Sequence, residues 1–161
     1  MTEPGAGAQP FLVVPIAVVR STRAEARDDN WDSEQTSIEL THPRLSADAL
    51  RGLTSFSHVE VVYVFDRVPE AKVEYGARRP RGNPEWPEVG ILGQRGKNRP
   101  NRLGVTICEL IEVAGTTVRV RGLDAIDGTP VIDIKPHMRE FAARGEVIQP
   151  PWSIDLMRDY W

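Results

Sequence analysis

The sequence predicts a mainly β fold: one barrel-like domain of six or more strands with two or three short helices. Three observations predict it. Apolar and polar residues alternate along "SHVEVVYVF" and "LGVTICELIEVA", the period-two pattern of strands. Thirteen glycines and thirteen prolines in 161 residues interrupt the chain too often for long helices. The helical signatures are short and do not alternate with strands as βαβ units do. A barrel or strongly curved sheet satisfies all three.

The elements follow in order. Residues 1–9 read as a flexible lead-in. "PFLVVPIAVV" is apolar and β-branched, a first strand with Pro15 at an edge or bulge. The polar stretch "RSTRAEARDDNWDSEQ" is a long loop, and "TSIELT" a short second strand. "SADALRGL" carries the marks of a compact helix: Ser46 as N-cap, Asp48 in the first turn, Gly52 at the end. In "SHVEVVYVF", Val59, Val61, Tyr63 and Phe65 share one face, and both faces turn apolar towards Phe65, so that end is expected to be buried twice. Residues 66–102 are the least regular. "LGVTICELIEVAGTTVRVRGL" is a hairpin: Leu103, Val105, Ile107, Ile111 and Val113 alternate along one arm, Val118 and Val120 along the other, with Gly115 in the turn. After the turn Asp127–Pro130 comes the strand "VIDIK", with Ile132 and Ile134 on one face and Val131, Asp133 and Lys135 on the other. "PPWSIDLMRDYW" closes with a proline-bounded short helix, Ser153 as its N-cap. The expected organisation is a lead-in at 1–9, a barrel domain at 10–145 and an extension at 146–161.

Composition excludes several function classes. A single cysteine, Cys108, leaves no internal disulfide, and the longest apolar run, Phe11 to Val19, is too short to span a bilayer. With no basic, apolar leader in "MTEPGAGAQP", a cytoplasmic protein is the default. His42, His58 and His137 have no metal-ligand spacing with Cys108, so no metal is expected. Neither a P-loop nor a dinucleotide-binding glycine motif stands in a strand–turn–helix context.

Charge is unevenly spread. The formal net charge is −3, which argues against a polycation, but residues 76–102 hold seven cations against two carboxylates, a local +5. A basic, glycine- and proline-rich loop on an acidic chain suits a polyanion: RNA, a phosphate-rich cofactor or an acidic protein surface. The plainer alternative is a solvated loop whose arginines pair with the protein's own carboxylates. Trp86 in this loop either stacks on a base or anchors the segment. Asp133 and Lys135, neighbours on one strand face, either serve a ligand or form an ordinary surface ion pair worth about 0–1 kcal/mol.

Four stretches, "PIAVVRS", "LRGLTSFSHVEVVYVF", "RPNRLGVTICEL" and "GLDAIDGTPVIDIKPH", together resemble the TrmO/YaeB (TsaA-like) family over about residues 11–141. The resemblance implies a β-barrel-like domain, usually a homodimer, that binds S-adenosylmethionine without a Rossmann fold. It implies N6-methylation of a threonylcarbamoylated adenosine in tRNA. The donor-binding positions it implies are Asn30 and Trp31 of the early loop, His58, Val59, Arg95, Ile107 and the turn Leu123, Asp124, Ala125, Ile126 and Asp127. Carboxylates there suit ribose hydroxyls or an amino group. Arg78, Arg79, Arg81, Arg99, Asn101 and Lys135 are expected to meet the acceptor, and Asp133 or His137 to take the proton its nitrogen loses. This chain departs from the pattern at Arg102, where the family has a second proline, and at His137, where tyrosine is usual. Those departures leave open a small-molecule acceptor, or a module that binds donor or RNA without turnover.

Overall fold

Glycine stands at position 104 because Tyr63 needs the room. A Cβ on Gly104 would lie 2.5 Å from the Tyr63 ring, on the strand paired with it. That pairing belongs to a computed structural model in which residues 8–161 are described. The expected lead-in 1–9 therefore lies largely outside the described residues.

Six strands close an antiparallel barrel: β1 (Ala17–Arg20), β2 (Gln35–Leu40), β3 (His58–Val64), β6 (Leu103–Ala114), β7 (Thr117–Arg121) and β8 (Pro130–Pro136). Around the wall they run β1-β2-β7-β6-β3-β8, and β8 returns to β1. Two short strands, β4 (Ala77–Arg78) and β5 (Val89–Gly90), pair outside the barrel. Alternation does the folding. Val19, Ile38, Val59, Val61, Val118, Val120 and Val131 point inward, are fully buried, and each contributes about 1.5–3 kcal/mol by leaving water. Gly115, at φ +59, makes the tight β6–β7 turn.

Five expectations about the strands need correction. The first strand starts at Ala17, not Phe11: prolines at 10 and 15 offer no N–H to a ladder, and Phe11 and Leu12 stay exposed. The face of β6 that carries Leu103, Val105 and Ile107 is the outer one, while Gly104, Thr106 and Cys108 face the interior. Leu110 continues the inward row of Gly104, Thr106 and Cys108, and Ile111 is an extra residue in the β6–β7 ladder, a bulge beyond which Val113 turns inward. A second irregularity at Ile132 puts Val131 and Ile134 on the inner side, so Val131 does not share a face with Asp133 and Lys135. The end of β3 at Val64 and Phe65 is half-buried, not enclosed on both sides.

The short helices are mostly 3₁₀ turns. Ser46 caps Ala47–Leu50 by accepting from the Asp48 N–H, and Gly52, at φ +84, opens the next turn. The α-helix α1 (Pro151–Leu156) is preceded by Pro150; Ser153 lies inside it and its hydroxyl donates to the Pro150 carbonyl, so Ser153 is not the cap.

Candidate functional site

β7 ends at Arg121, opposite Glu109, while β6 begins earlier, at Leu103. Among the described residues the Leu103–Cys108 half of β6 therefore has a ladder partner on one side only, β3. The wall opens there into a seam. Gly122–Ala125 runs along it, Arg95 donates across it to the Val105 carbonyl (2.8 Å), and residues 159–161 lie over it.

Asp124 is the polar centre of the seam. One carboxylate oxygen accepts from the Tyr63 hydroxyl (2.8 Å) and from the Thr106 hydroxyl, and the other accepts from the Tyr160 hydroxyl. Three hydroxyl donors from β3, β6 and the C-terminal segment thus hold one anion. Its charge acts back on them: burial first, then Asp124, raises the Tyr63 and Tyr160 phenols above their ordinary value, so both remain donors. Burial and the same carboxylate push the Cys108 thiol up to about 12.

A cavity of about 220 Å³ lies at the same seam. His58 at the start of β3, with Ile107, Cys108 and Glu109 of β6, forms one side; Asp32 of the early loop, Arg121, Gly122 and Trp161 form the other. Glu109 pairs with Arg121 at 2.9 Å, and His58 Nδ1 shares a 2.7 Å hydrogen bond with the Ser57 hydroxyl.

The residues singled out by motif do not all meet here. His58 and Ile107 line the cavity, Asp124 and Arg95 stand at the seam, and the N–H groups of Asn30 and Trp31 face the segment that covers it. The side chains of Val59, Leu123 and Ala125 are buried in the core, and Ile126 is half-buried. Asp127 is engaged elsewhere: its carboxylate accepts from the Ser21 N–H (3.0 Å) and its own N–H donates to the Arg23 carbonyl (2.9 Å), fastening the early loop to the turn. Asp133 and Lys135 form the plain surface ion pair, 2.6 Å apart on the outer wall. His137 donates its backbone N–H to the His58 carbonyl (3.0 Å), and its Nδ1 is buried with no hydrogen-bond partner among the described residues.

The basic loop is held mainly by carbonyl groups. Arg79 donates to the Pro84 and Trp86 carbonyls, Arg99 to Gln94, and Arg102 to Val68. A carbonyl satisfies a guanidinium's N–H groups without cancelling its charge, so the segment keeps a positive field. Two arginines also meet carboxylates: Arg81 is bonded to both oxygens of Asp29 (2.7 and 3.2 Å), and Arg102 lies 3.9 Å from Glu70. Arg78 is half-buried, with its Nε lacking a partner among the described residues. Asn101 is exposed at φ +62, a left-handed turn that asparagine tolerates, and Arg102 follows at φ +52, which proline could not adopt. Trp86 anchors the loop: its ring N–H donates to Asp155 of α1 (3.1 Å).

Sequence reasoning did not single out the cavity residues Asp32, Glu109 and Trp161, nor Arg23, Tyr63, Thr106 and Tyr160. Arg23 stacks 3.5 Å over the Trp31 ring and donates to the Asp29 and Asn30 carbonyls, which sets the early loop's shape. Tyr63 and Thr106 were legible only as strand residues, and Tyr160 lies too far along the chain for any local pattern to link it to Asp124.

These residues fit the S-adenosylmethionine that the motif resemblance implies. Asp32 and Glu109 are acceptors for hydroxyl and amino groups and balance a positive sulfonium, while Ile107 offers an apolar face to a purine.

Comparison with known proteins agrees. The profile described as tRNA-methyltransferase O N-terminal domain matches residues 22–143. A probable S-adenosyl-L-methionine-binding protein of Methanothermobacter thermautotrophicus is 38% identical over 138 residues, 81% of this chain and 93% of that one. The tRNA (adenine(37)-N6)-methyltransferase of Escherichia coli is 37% identical over 107 residues, 63% of this chain but 44% of that protein. The crystal structure of TrmO from Pseudomonas aeruginosa matches with a TM-score of 0.70 at 25% identity, over 87% of this chain and 61% of that one. By fold, motifs and profile alike, the chain belongs to the TrmO N-terminal domain family.

Proposed function

We propose that the chain is an S-adenosylmethionine-dependent methyltransferase acting on N6 of a threonylcarbamoyl-modified adenosine in tRNA, working in the cytoplasm as a homodimer. The observation that carries this reading is convergence: His58 and Ile107, far apart in sequence, meet Asp32 and Glu109 around one cavity beside Asp124. The relatives' names, an S-adenosyl-L-methionine-binding protein and a tRNA (adenine(37)-N6)-methyltransferase, support donor and acceptor respectively. No helix among the described residues is long and apolar enough to cross a membrane.

The bound donor supplies a methyl group carried on a sulfonium. The chain's residues bind and orient: Asp32, Glu109 and Asp124 as acceptors, Ile107 as the apolar wall that limits water. Arg78, Arg79 and Arg99 hold the tRNA phosphates, with Arg81 beside them. His137 takes the proton that the acceptor nitrogen loses; its buried Nδ1 without a partner favours it over Asp133, which already pairs with Lys135. The barrel at 10–145 carries the chemistry, and 146–161 is an extension. The dimer is supported by the outer row Leu103, Val105 and Ile107, 36–47% exposed, beside Val62 and Val64 on β3.

The test is transfer of radiolabelled methyl from S-adenosylmethionine to unfractionated tRNA. Label should enter tRNA only with folded protein, and the rate should fall steeply between about 50 and 200 mM salt as phosphate contacts weaken. A donor that binds saturably while no tRNA is labelled at any salt concentration would remove RNA as the acceptor. A Val105→Glu variant that still sediments as a dimer would count against the outer row as the interface.

A further inference from the structure

Residues 159–161 meet the donor-binding points one after another. The Asp159 carbonyl accepts from the Asn30 N–H (2.9 Å) and the Tyr160 carbonyl from the Trp31 N–H (2.9 Å). The Tyr160 hydroxyl donates to the outer oxygen of Asp124. Trp161 packs edge-to-face on Tyr160, centroids 4.9 Å apart, and its ring walls the cavity with His58 and Ile107. Three consecutive residues thus use the early loop, the D-x-x-D turn and the β3–β6 cavity at once.

The space left is small. At about 220 Å³ the cavity falls below the roughly 300 Å³ at which pockets for drug-sized ligands begin. The segment is also loosely tethered. Residues 141–150 are all exposed, Ile154 and Trp161 are 60% and 50% exposed, and the hydrogen bond from Trp86 to Asp155 fastens α1 outside the site. The family profile matches residues 22–143, so this segment lies outside the matched region.

We propose that residues 159–161 are an internal occupant of the donor site, so that donor binding and docking of this segment exclude one another. The inference rests on the donor-site reading above. It makes the free protein self-shielded: apparent donor affinity is the intrinsic affinity scaled by the undocked fraction. Any surface that captures the undocked segment then opens the site.

Two full-length variants test it, followed by calorimetric titration with S-adenosylmethionine. Tyr160→Phe removes one hydroxyl from the docked state and should tighten donor binding about tenfold, the effect of losing one hydrogen bond to a charged acceptor. Asp155→Ala breaks the Trp86 tether without touching any donor-contact residue and should tighten it by a smaller factor. Hydrogen exchange across 151–161 in the unmodified protein should quicken at saturating donor. Unchanged or weaker binding in both variants, or slower exchange on adding donor, would make the segment a fixed wall and overturn the inference. If neither the unmodified protein nor the variants bind millimolar donor while remaining folded, the donor-site reading itself fails and the inference falls with it.

Discussion

The two halves of the barrel interior are built from different chemistry. Where β1, β2 and β7 meet, the inward side chains are almost all aliphatic: Val19, Ile38, Val118 and Val120, every one fully buried. Across the barrel, where β3 pairs with the first half of β6, Val59 and Val61 are joined by Tyr63, Thr106 and Cys108 around the carboxylate of Asp124. The first half gains stability chiefly from area removed from water; its buried polar side chain, Thr36 on β2, has a hydroxyl with no partner among the described residues. The second must satisfy an anion with hydroxyls, and it does so with three of them. The difference teaches where a small barrel places a site: at the stretch where one strand outlasts its neighbour and its free backbone edge is left to side chains such as Arg95.

The largest way to sharpen that contrast is to damage the aliphatic half. Ile38→Ala should cost about 2–5 kcal/mol, the lost transfer energy plus the cavity left behind. Donor affinity per folded molecule should stay unchanged, because Ile38 lies on β2, which pairs with β1 and β7 and not with the strands of the seam, β3 and β6. Denaturant titration paired with calorimetry separates the two quantities. A fall in donor affinity at a temperature where the variant is fully folded would mean that the halves are mechanically coupled.

A smaller change in the polar half should do the opposite. Gly104→Ala sets a methyl 2.5 Å from the Tyr63 ring, and that buried ring cannot give way without moving its hydroxyl off Asp124. A stability loss of about 1–3 kcal/mol is expected from overpacking, together with weaker donor binding. Gly90→Ala is the control, since an added Cβ there meets nothing within 4 Å and its φ is negative. If Gly104→Ala lowers stability yet binds donor as before, Tyr63 is not what positions Asp124.

The same contrast explains what the sequence made legible. Val59, Val61 and Tyr63 alternate with residues left half-exposed on the outer face, so β3 and its inward face could be read directly. On β6 the reading inverts. Its interior positions are Gly104, Thr106 and Cys108, and the apolar residues Leu103, Val105 and Ile107 face out, so alternation points to the wrong side of the wall. The bulges at Ile111 and Ile132 each shift a face by one residue, and nothing in the local pattern marks either. His58, Ile107 and Asp124 were singled out because the stretches that resemble the family carry them. Tyr160 and Trp161 were not, because their link to Asp124 and His58 exists only once the chain has closed on itself.

The smallest expected effect separates the halves by pH. Cys108 is buried beside Asp124, and its thiol is raised from an ordinary 9.0 to about 12. A raised folded value means that the native state holds its proton longer than the unfolded chain does. Below pH 9 both states are protonated and the contribution is fully present; as pH climbs from about 9 towards 12 the unfolded chain ionises first and stability is lost. The loss should be about 1 kcal/mol by pH 10, and Tyr63 and Tyr160, both raised in the same direction, should steepen it further above that. The aliphatic half contributes no such slope. Denaturant midpoints measured at pH 8, 9 and 10 should therefore fall in the native protein and flatten in Cys108→Ala over the same range. An identical slope in the two proteins would place the alkaline sensitivity outside the seam.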